Sequence, residues 1–257
     1  MYKNRNKGFT YLYYSELLKT IIRKYEITLL GDFPADNKSK PLAIIRHDVD
    51  VSIECALKMA ELEAGYGVSS TYMFIPHSRL YDIRAKKDLI KQFIDLHHEV
   101  ALHFEIDDQL RKSIDIRTDD IIGEIEKDCK IITDITGIPV RSISFHRPVP
   151  QFLRGELNIA GLVNAYAAEL METYISDSKG EWRSGDPTQF VKSTNAQILQ
   201  LLVHPIWWGE EYLTAGDRLE QFLKISTKNM SSAECKDFDS ELALTLPSIQ
   251  RTNYKEK

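Results

Sequence analysis

Short apolar runs alternate with longer amphipathic segments along most of the chain. Seven runs are typical of strands, at residues 42–45, 71–75, 99–103, 142–146, 162–167, 173–176 and 198–204. Segments with apolar positions at helical spacing lie between several of them, as at residues 52–64, 85–96 and 117–136. Strands that alternate with helices predict a parallel sheet of βαβ units.

The length of 257 residues makes a closed (β/α) barrel the first candidate within this α/β class. Helical spacing also predicts a helix at about residues 10–25 and a helical extension over about residues 213–257. We therefore expect one domain over residues 1–257, with a helix at the start and a helical extension at the end.

Composition excludes several classes of protein. The chain is 43% hydrophobic and 28% charged, which is ordinary for a globular protein. Its net charge of −5 argues against a nucleic-acid surface, and no window approaches the roughly 18–20 apolar residues of a membrane span. The basic N-terminus lacks the apolar segment of a signal peptide, and the 3 cysteines have no C-x-x-C spacing. We expect a cytoplasmic protein with reduced thiols.

Ionisable side chains stand where four of the predicted strands end. These residues are Asp48, Asp50, His103, His146, Arg147 and His204. In (β/α) barrels the carboxyl ends of the strands meet at one face, and this face carries the chemistry. Two carboxylates two residues apart on a strand share a face, and they need a cation or a shared proton. The pattern predicts a functional site at one mouth of the barrel.

One carboxylate and two imidazoles would suit a divalent metal, with Zn²⁺ the first choice and other divalent ions as alternatives. Asp50 and His103 are the best ligands. The third is left open among His146, Asp107 and Glu105, and His146 is favoured because it ends a separate strand.

The remaining residues at this face predict metal-assisted hydrolysis of an acyl bond. A bound divalent ion lowers the pKa of its water toward roughly 7. Asp48 is placed as the general base for that water, and Arg147 could orient Asp48 through a bidentate pair. His204, at the end of another strand, could protonate the leaving group.

Four stretches of the chain resemble the polysaccharide deacetylase superfamily, also called NodB-homology or carbohydrate esterase family 4. They are Arg46–Asp50, His98–His103, Phe145–Pro148 and Leu202–Pro205, in the order of the family. The first stretch, R-H-D-V-D, is similar to that of one subgroup of the family. The resemblance spans residues 42–208 and implies a distorted (β/α) barrel of the NodB type, acting in carbohydrate metabolism as a metal-binding hydrolase.

The resemblance also implies roles for individual residues. The base falls on Asp48, the metal aspartate on Asp50, the first metal histidine on His103, the orienting arginine on Arg147 and the acid on His204.

Two departures from the family pattern bear on the metal. The usual adjacent Asp-Asp pair is here Asp48 and Asp50 with Val49 between them, and the usual second histidine is Asp107. The third ligand therefore stays open, with His146 as the substitute.

Aromatic residues near the predicted site are candidates for substrate contacts. Trp207 and Trp208 follow His204 and could stack on a sugar ring, or else cap the barrel core. Tyr174 and Asp177 could form a second wall, with Asp177 and Arg183 as hydroxyl or phosphate contacts.

The sequence thus predicts a metal-dependent hydrolase that removes an N-acyl group, with acetyl the first candidate, from an amino sugar or glycan precursor. Because no export signal is seen, a nucleotide-linked, lipid-linked or free amino sugar is expected. The alternatives are a metal-independent hydrolase of a small amide and a catalytically inactive carbohydrate-binding barrel. A phosphoesterase is less favoured, because no second carboxylate cluster suggests a two-metal site. The oligomeric state stays open.

Overall fold

Buried strands and amphipathic helices alternate along the chain, as its apolar pattern predicts. The computed structural model describes residues 8–34, 40–113, 116–247 and 249. The strands of these ranges are β1 (Glu26–Thr28), β2 (Leu42–Val49), β3 (Thr71–Phe74), β4 (Glu99–Glu105), β5 (Ser142–His146), β6 (Asn158–Ile159), β7 (Leu162–Asn164), β8 (Tyr174–Ser176) and β9 (Ile198–Val203). Their α-helices are α1 (Tyr11–Lys24), α2 (Ile53–Gly65), α3 (Lys87–Asp95), α4 (Ile122–Thr136), α5 (Pro187–Ser193), α6 (Ala215–Ser226) and α7 (Ser232–Thr245).

All nine strands belong to one sheet, whose order is β6-β7-β5-β4-β3-β2-β9-β8 with β1 beside the first half of β2. Every pairing is parallel except that of β6 with β7. Among the described residues β6 and β8 end the order without pairing to each other, so the sheet is open at that point. The predicted α/β class and the expected distorted (β/α) barrel are confirmed, whereas the closed barrel considered first is corrected to an open one.

The sheet curls around a small apolar core. Ile44, Met73, Ala101 and Val163 come from four different strands, yet they are buried in one cluster. Side chains of alternate residues on a strand point to opposite faces, so the remaining apolar residues of these strands pack under the helices. Strand β2 is buried on both faces over its whole length, as expected for the centre of a parallel sheet.

The predicted terminal helices lie close to their expected places. Thr10 caps α1 by accepting a hydrogen bond from the backbone N–H of Tyr13. The expected extension after residue 213 contains α6 and α7, while residues 1–7, 248 and 250–257 lie outside the described residues. None of the described helices combines the length and the apolar character that crossing a membrane requires. The three cysteines are unpaired and partly buried.

A buried acidic group joins α2 to the outer face of β2. Glu63 is 0% exposed and accepts hydrogen bonds from the hydroxyls of Tyr14 and Tyr72, while His47 Nε2 lies 2.8 Å from its Oε1. Burial alone would raise the pKa of Glu63, but the charge and hydrogen bond of His47 outweigh it and lower the pKa below its usual value. This group ties α1, α2, β2 and β3 together.

A second polar cluster fills the amino end of the barrel. The Glu99 carboxylate accepts hydrogen bonds from the Thr71 hydroxyl at 2.7 Å, the Ser142 hydroxyl at 2.9 Å and the Gly31 N–H at 3.0 Å. Gly31 is required here, because a Cβ atom at this position would lie 2.3 Å from Glu99 Oε1 and 2.8 Å from the Arg141 Cβ. The opposite, carboxyl end is the one that carries ionisable side chains around a cavity.

Candidate metal and acid-base site

The carboxyl ends of β2, β4, β5 and β9 bring the predicted side chains to one place. Asp48 and Asp50 come from the end of β2, His103 from β4, His146 from β5, and His204 follows β9. The first four are nearly buried, with 2–6% of their surface exposed. Residues that are up to 156 positions apart in the sequence therefore meet around one point.

Three of these residues form a cluster that fits a metal ion. Asp50 Oδ1 lies 3.1 Å from His103 Nε2 and 3.2 Å from His146 Nδ1. Their candidate ligand atoms lie within 4.8 Å of one another. Among the described residues none donates a hydrogen bond of good geometry to Asp50 Oδ1, although this atom is buried. A buried oxygen without a donor beside two imidazole nitrogens suits a divalent cation such as Zn²⁺.

The electrostatics of the cluster keep its carboxylate ionised. Burial alone would raise the pKa of Asp50, but the neighbouring His146 and His103 outweigh this effect and hold the pKa well below its usual value. On the other side of its ring, His103 Nδ1 lies 2.6 Å from the Ser144 hydroxyl. Such a partner fixes the orientation of a metal-binding imidazole. Ser144 thus turns His103 Nε2 toward Asp50.

The two alternative ligands lie outside this cluster. Asp107 is exposed, and its Oδ1 accepts N–H groups of Gln109 and Leu110, so it caps a turn. Glu105 is exposed and ion-pairs with Arg147 at 2.7 Å. Since β4 ends at Glu105, the helical geometry needed to bring Asp107 back to His103 does not form. The candidate set is therefore the favoured one, Asp50, His103 and His146.

Asp48 is held by an arginine that differs from the expected one. Arg46 Nε lies 3.0 Å from Asp48 Oδ1, and Arg46 Nη2 donates to Asp48 Oδ2 at 3.1 Å. This is a buried ion pair with one hydrogen bond, from Nη2. Arg46 also donates to the Gln200 side chain at 3.2 Å and to the Tyr166 hydroxyl at 3.0 Å. Gln200 and Tyr166 thus hold the Arg46 guanidinium in place, and Arg46 in turn orients the carboxylate of Asp48.

Arg147 pairs with Glu105 and not, as expected, with Asp48, so that prediction is corrected. Arg147 has a φ of 48°, a left-handed conformation that turns the chain as β5 ends. Its side chain is 35% exposed, and it donates to Glu105 and, at 3.4 Å, to the carbonyl of Leu244. Arg147 still lines the rim of the site, but among the described residues the guanidinium on Asp48 is that of Arg46.

The buried carboxylate of Asp177 contacts one ring nitrogen of His204. Asp177 Oδ1 lies 2.6 Å from His204 Nδ1, and Asp177 also accepts the indole N–H of Trp208 at 2.9 Å and the backbone N–H of His204 at 2.9 Å. Burial would lower the pKa of His204, but the charge and hydrogen bond of Asp177 outweigh it and raise the pKa to about 9. His204 Nε2 is left facing Asp50, 3.9 Å from its Oδ2.

Three of the expected substrate contacts are corrected. Asp177 is 0% exposed and fully engaged by His204 and Trp208, so it has no oxygen free for a sugar hydroxyl. Trp208 is 2% exposed and packs against Phe9 and the tyrosines of α1. Tyr174 lies outside the lining of the cavity over the site.

The cavity over these residues, named the site cavity, has a volume of about 270 Å³. Its floor is formed by Asp48, Asp50, His103, His146 and His204. Tyr166, Phe145 and Trp207 contribute to its walls, although Trp207 is only 1% exposed. Trp207 is thus the one predicted aromatic contact that reaches the cavity.

Arg46, Ser144 and Tyr166 are the functional candidates that the sequence analysis missed. A signal for Arg46 was present, because residues 46, 48 and 50 share a strand face by simple alternation. Ser144 stands two residues before His146 on β5 and could be found in the same way. No sequence signal singles out Tyr166.

Comparison of the sequence with protein-family models and with curated proteins finds no match. Solved structures that are similar to the chain include a CE4 family pseudoenzyme from Bacillus anthracis, at 13% identity and a TM-score of 0.42, with 76% of this chain and 63% of that chain covered. This chain therefore spans less than two thirds of the pseudoenzyme structure.

Two further similar structures are of peptidoglycan deacetylases. PdaC from Bacillus subtilis has 12% identity and a TM-score of 0.45, with 81% of this chain and 96% of that chain covered. The catalytic domain of a peptidoglycan N-acetylglucosamine deacetylase from Eubacterium rectale has 15% identity and a TM-score of 0.46, with 76% and 88% covered.

Proposed function

We propose that this chain is a metal-dependent hydrolase that removes an N-acyl group, with acetyl the first candidate, from an amino sugar. The observation that carries the proposal is a cluster of two histidines and one aspartate, with a candidate base, Asp48, and a candidate acid, His204, beside it. Asp48 Oδ2 lies 3.7 Å from His103 Nε2, and His204 Nε2 lies 3.9 Å from Asp50 Oδ2. Each of the two has its own buried partner of opposite charge.

Asp50, His103 and His146 would hold the metal ion. When bound, a divalent ion supplies a nucleophilic water at neutral pH and stabilises negative charge on the acyl oxygen. Asp48 accepts a proton from the attacking water, and Arg46 keeps its carboxylate oriented during this transfer. His204, protonated at Nε2 and supported at Nδ1 by Asp177, donates a proton to the leaving amine.

The amide bond and the sugar rest on the resemblance of the four motifs, because a fold does not determine a substrate. A nucleotide-linked, lipid-linked or free amino sugar remains our prediction for the substrate. Zn²⁺ as the metal and a cytoplasmic location likewise remain predictions.

Acetate release from N-acetylated amino sugars tests the proposal. Protein stripped with a chelator and reloaded with Zn²⁺ should recover activity, while Asp48→Asn should bind Zn²⁺ and release no acetate. Activity that persists after complete metal removal would instead favour the metal-independent amidase. Sugar binding without acetate release under any metal would favour the inactive carbohydrate-binding barrel.

A further inference from the structure

The two histidines of the metal cluster are held in different ways. His103 Nδ1 lies 2.6 Å from the Ser144 hydroxyl, so a side-chain contact sets the orientation of its ring. His146 Nδ1 faces Asp50, while its outer nitrogen Nε2 lies 4.0 Å from Glu105 Oε1, which is too far for a hydrogen bond. The placement of the His146 ring therefore depends on where the end of β5 lies.

Arg111 binds the backbone at that end of the strand. Its guanidinium donates to the carbonyl oxygens of His146, at 3.2 Å, and of Arg147. It also donates to the carbonyl of Ile106, the first residue after β4, at 3.4 Å. Since the last residue pair between β4 and β5 is Glu105 with His146, Arg111 joins the two strands just beyond the end of their ladder.

The backbone that Arg111 holds has an unfavourable conformation. Arg147 has a φ of 48°, in the left-handed region that is disfavoured for residues other than glycine. The carbonyls of His146 and Arg147 belong to the two peptide groups on either side of this residue. The hydrogen bonds from Arg111 therefore stabilise the turn, and with it the direction in which the chain leaves β5.

Charge attraction does not explain the position of Arg111. Its Nε lies 3.9 Å from Asp108 Oδ1, but the Asp108 side chain is 80% exposed, so solvent screens this pair. Burial and the like charge of Arg147 lower the pKa of Arg111 below its usual value. The three carbonyls compensate for this unfavourable environment. The planar fork of an arginine can bind carbonyls of two segments at once, whereas the ammonium of a lysine is a compact point charge.

We propose that Arg111 is a positioning residue for the metal site and acts through His146. By fixing the end of β5 against the end of β4, it keeps His146 Nδ1 at 3.2 Å from Asp50 Oδ1 and the three ligand atoms close enough for one ion. Arg111 lies outside the lining of the site cavity, so it acts without touching the substrate. This inference rests on the proposed function, because it concerns the metal ion that the function requires.

Calorimetric titration of the metal-free chain with Zn²⁺ tests the inference without an activity assay. Arg111→Met keeps an apolar stem and removes every donor, so it should weaken Zn²⁺ binding at least about tenfold, as lost supports of metal ligands do. A pure charge effect has the opposite sign, because removing a positive charge lessens the repulsion of the cation. Affinity in the folded variant equal to or above that of wild type would overturn the inference and leave the proposed function intact. Absence of Zn²⁺ binding by wild type would overturn both.

Two matched variants separate positioning from charge and from general stability. Lys112→Met removes the same charge from the neighbouring, exposed residue. Gly31→Ala strains the opposite end of the barrel, where its Cβ would overlap Glu99. Both should bind Zn²⁺ like wild type, with circular dichroism showing that they are folded. A loss in either that equals the loss in Arg111→Met would overturn the inference.

Two further variants test the route of the effect. Arg111→Lys keeps the charge, and it replaces Arg111→Met if that variant does not fold. Wild-type affinity in Arg111→Lys would overturn the role of the guanidinium fork. His146→Ala should weaken Zn²⁺ binding at least as much as Arg111→Met, and wild-type affinity in it would remove the ligand through which Arg111 acts.

Discussion

Replacement of Arg46 by Met tests which arginine supports the base. Arg46 is 0% exposed and forms a buried ion pair with Asp48, with N···O distances of 3.0 and 3.1 Å. The Met side chain has a similar length but no charge and no donor. It therefore leaves the Asp48 carboxylate buried without its counter-charge, and it removes the donors to Gln200 and Tyr166 as well.

The expected magnitude follows from the burial of both partners. Removing one partner of a buried pair typically costs about 3–5 kcal/mol, mainly because the remaining charge is left without compensation. Arg147→Met is the matched control, because its pair with Glu105 joins side chains that are 35% and 40% exposed. Exposed pairs are screened by solvent and contribute about 0–1 kcal/mol.

Urea unfolding of a double-mutant cycle measures these differences. Arg46→Met, Asp48→Asn and the double variant should be strongly non-additive, since the double variant leaves no unpaired charge in the core. Arg46→Met should also lower kcat, because the base loses its orientation. Equal costs for Arg46→Met and Arg147→Met, or additive effects within the cycle, would refute the assignment of Arg46 to Asp48.

Three further predictions concern the metal, the acid and the amino end of the barrel. His103→Ala should weaken Zn²⁺ binding by more than about 100-fold in calorimetric titration, because lost hydrogen-bonding partners of ligands already cost about 10–100-fold. In metal-free protein, NMR titration should place the pKa of His204 at about 9, so the protonated form persists below that pH and is lost as pH rises through it. Asp177→Asn should lower this pKa, because it removes the carboxylate charge that raises the pKa of His204. Gly31→Ala should destabilise the protein by about 1–3 kcal/mol, because its Cβ overlaps Glu99.

Matched variants control these measurements. Asp107→Ala should leave Zn²⁺ affinity unchanged, and a loss equal to that of His103→Ala would restore Asp107 as a ligand. An unchanged His204 titration in Asp177→Asn would contradict the ion pair that the structure shows. Gly123→Ala, in a helix with open space around the position, should be neutral or stabilising by up to about 1 kcal/mol. A neutral Gly31→Ala would contradict the close approach of Glu99.

The strands that carry the site were predictable because each combines an apolar run with an ionisable end. The predicted strand at residues 99–103 is β4, and the one at residues 142–146 is β5 with the same bounds. By contrast, β1 and β6 each contain a single apolar residue, which gives no apolar run to detect. Helix α5 has 7 residues, which is too short for helical periodicity to show.

The side-chain partners within the site were harder to predict than its location. Arg147 stood beside His146 in a family motif, but its left-handed backbone turns it to Glu105, and no residue pattern reveals such a conformation. Asp177 is predicted as a substrate contact, whereas tertiary packing places it against His204 Nδ1. Sequence indicates which residues end a strand, while the pairing of charges depends on contacts between distant segments.

The charges of β2 also determine how this strand can pair. Arg46 and Asp48 find their partners on the inner face, and His47 finds Glu63 on the outer face. A slip of the strand by one residue would exchange the two faces. His47 would then lose Glu63, and the Arg46–Asp48 pair would enter the wrong layer without Gln200 and Tyr166, so a slipped register of β2 is disfavoured by the cost of burying unsatisfied polar groups. The residues that prepare the site for chemistry thus also ensure that its central strand assembles in a single alignment.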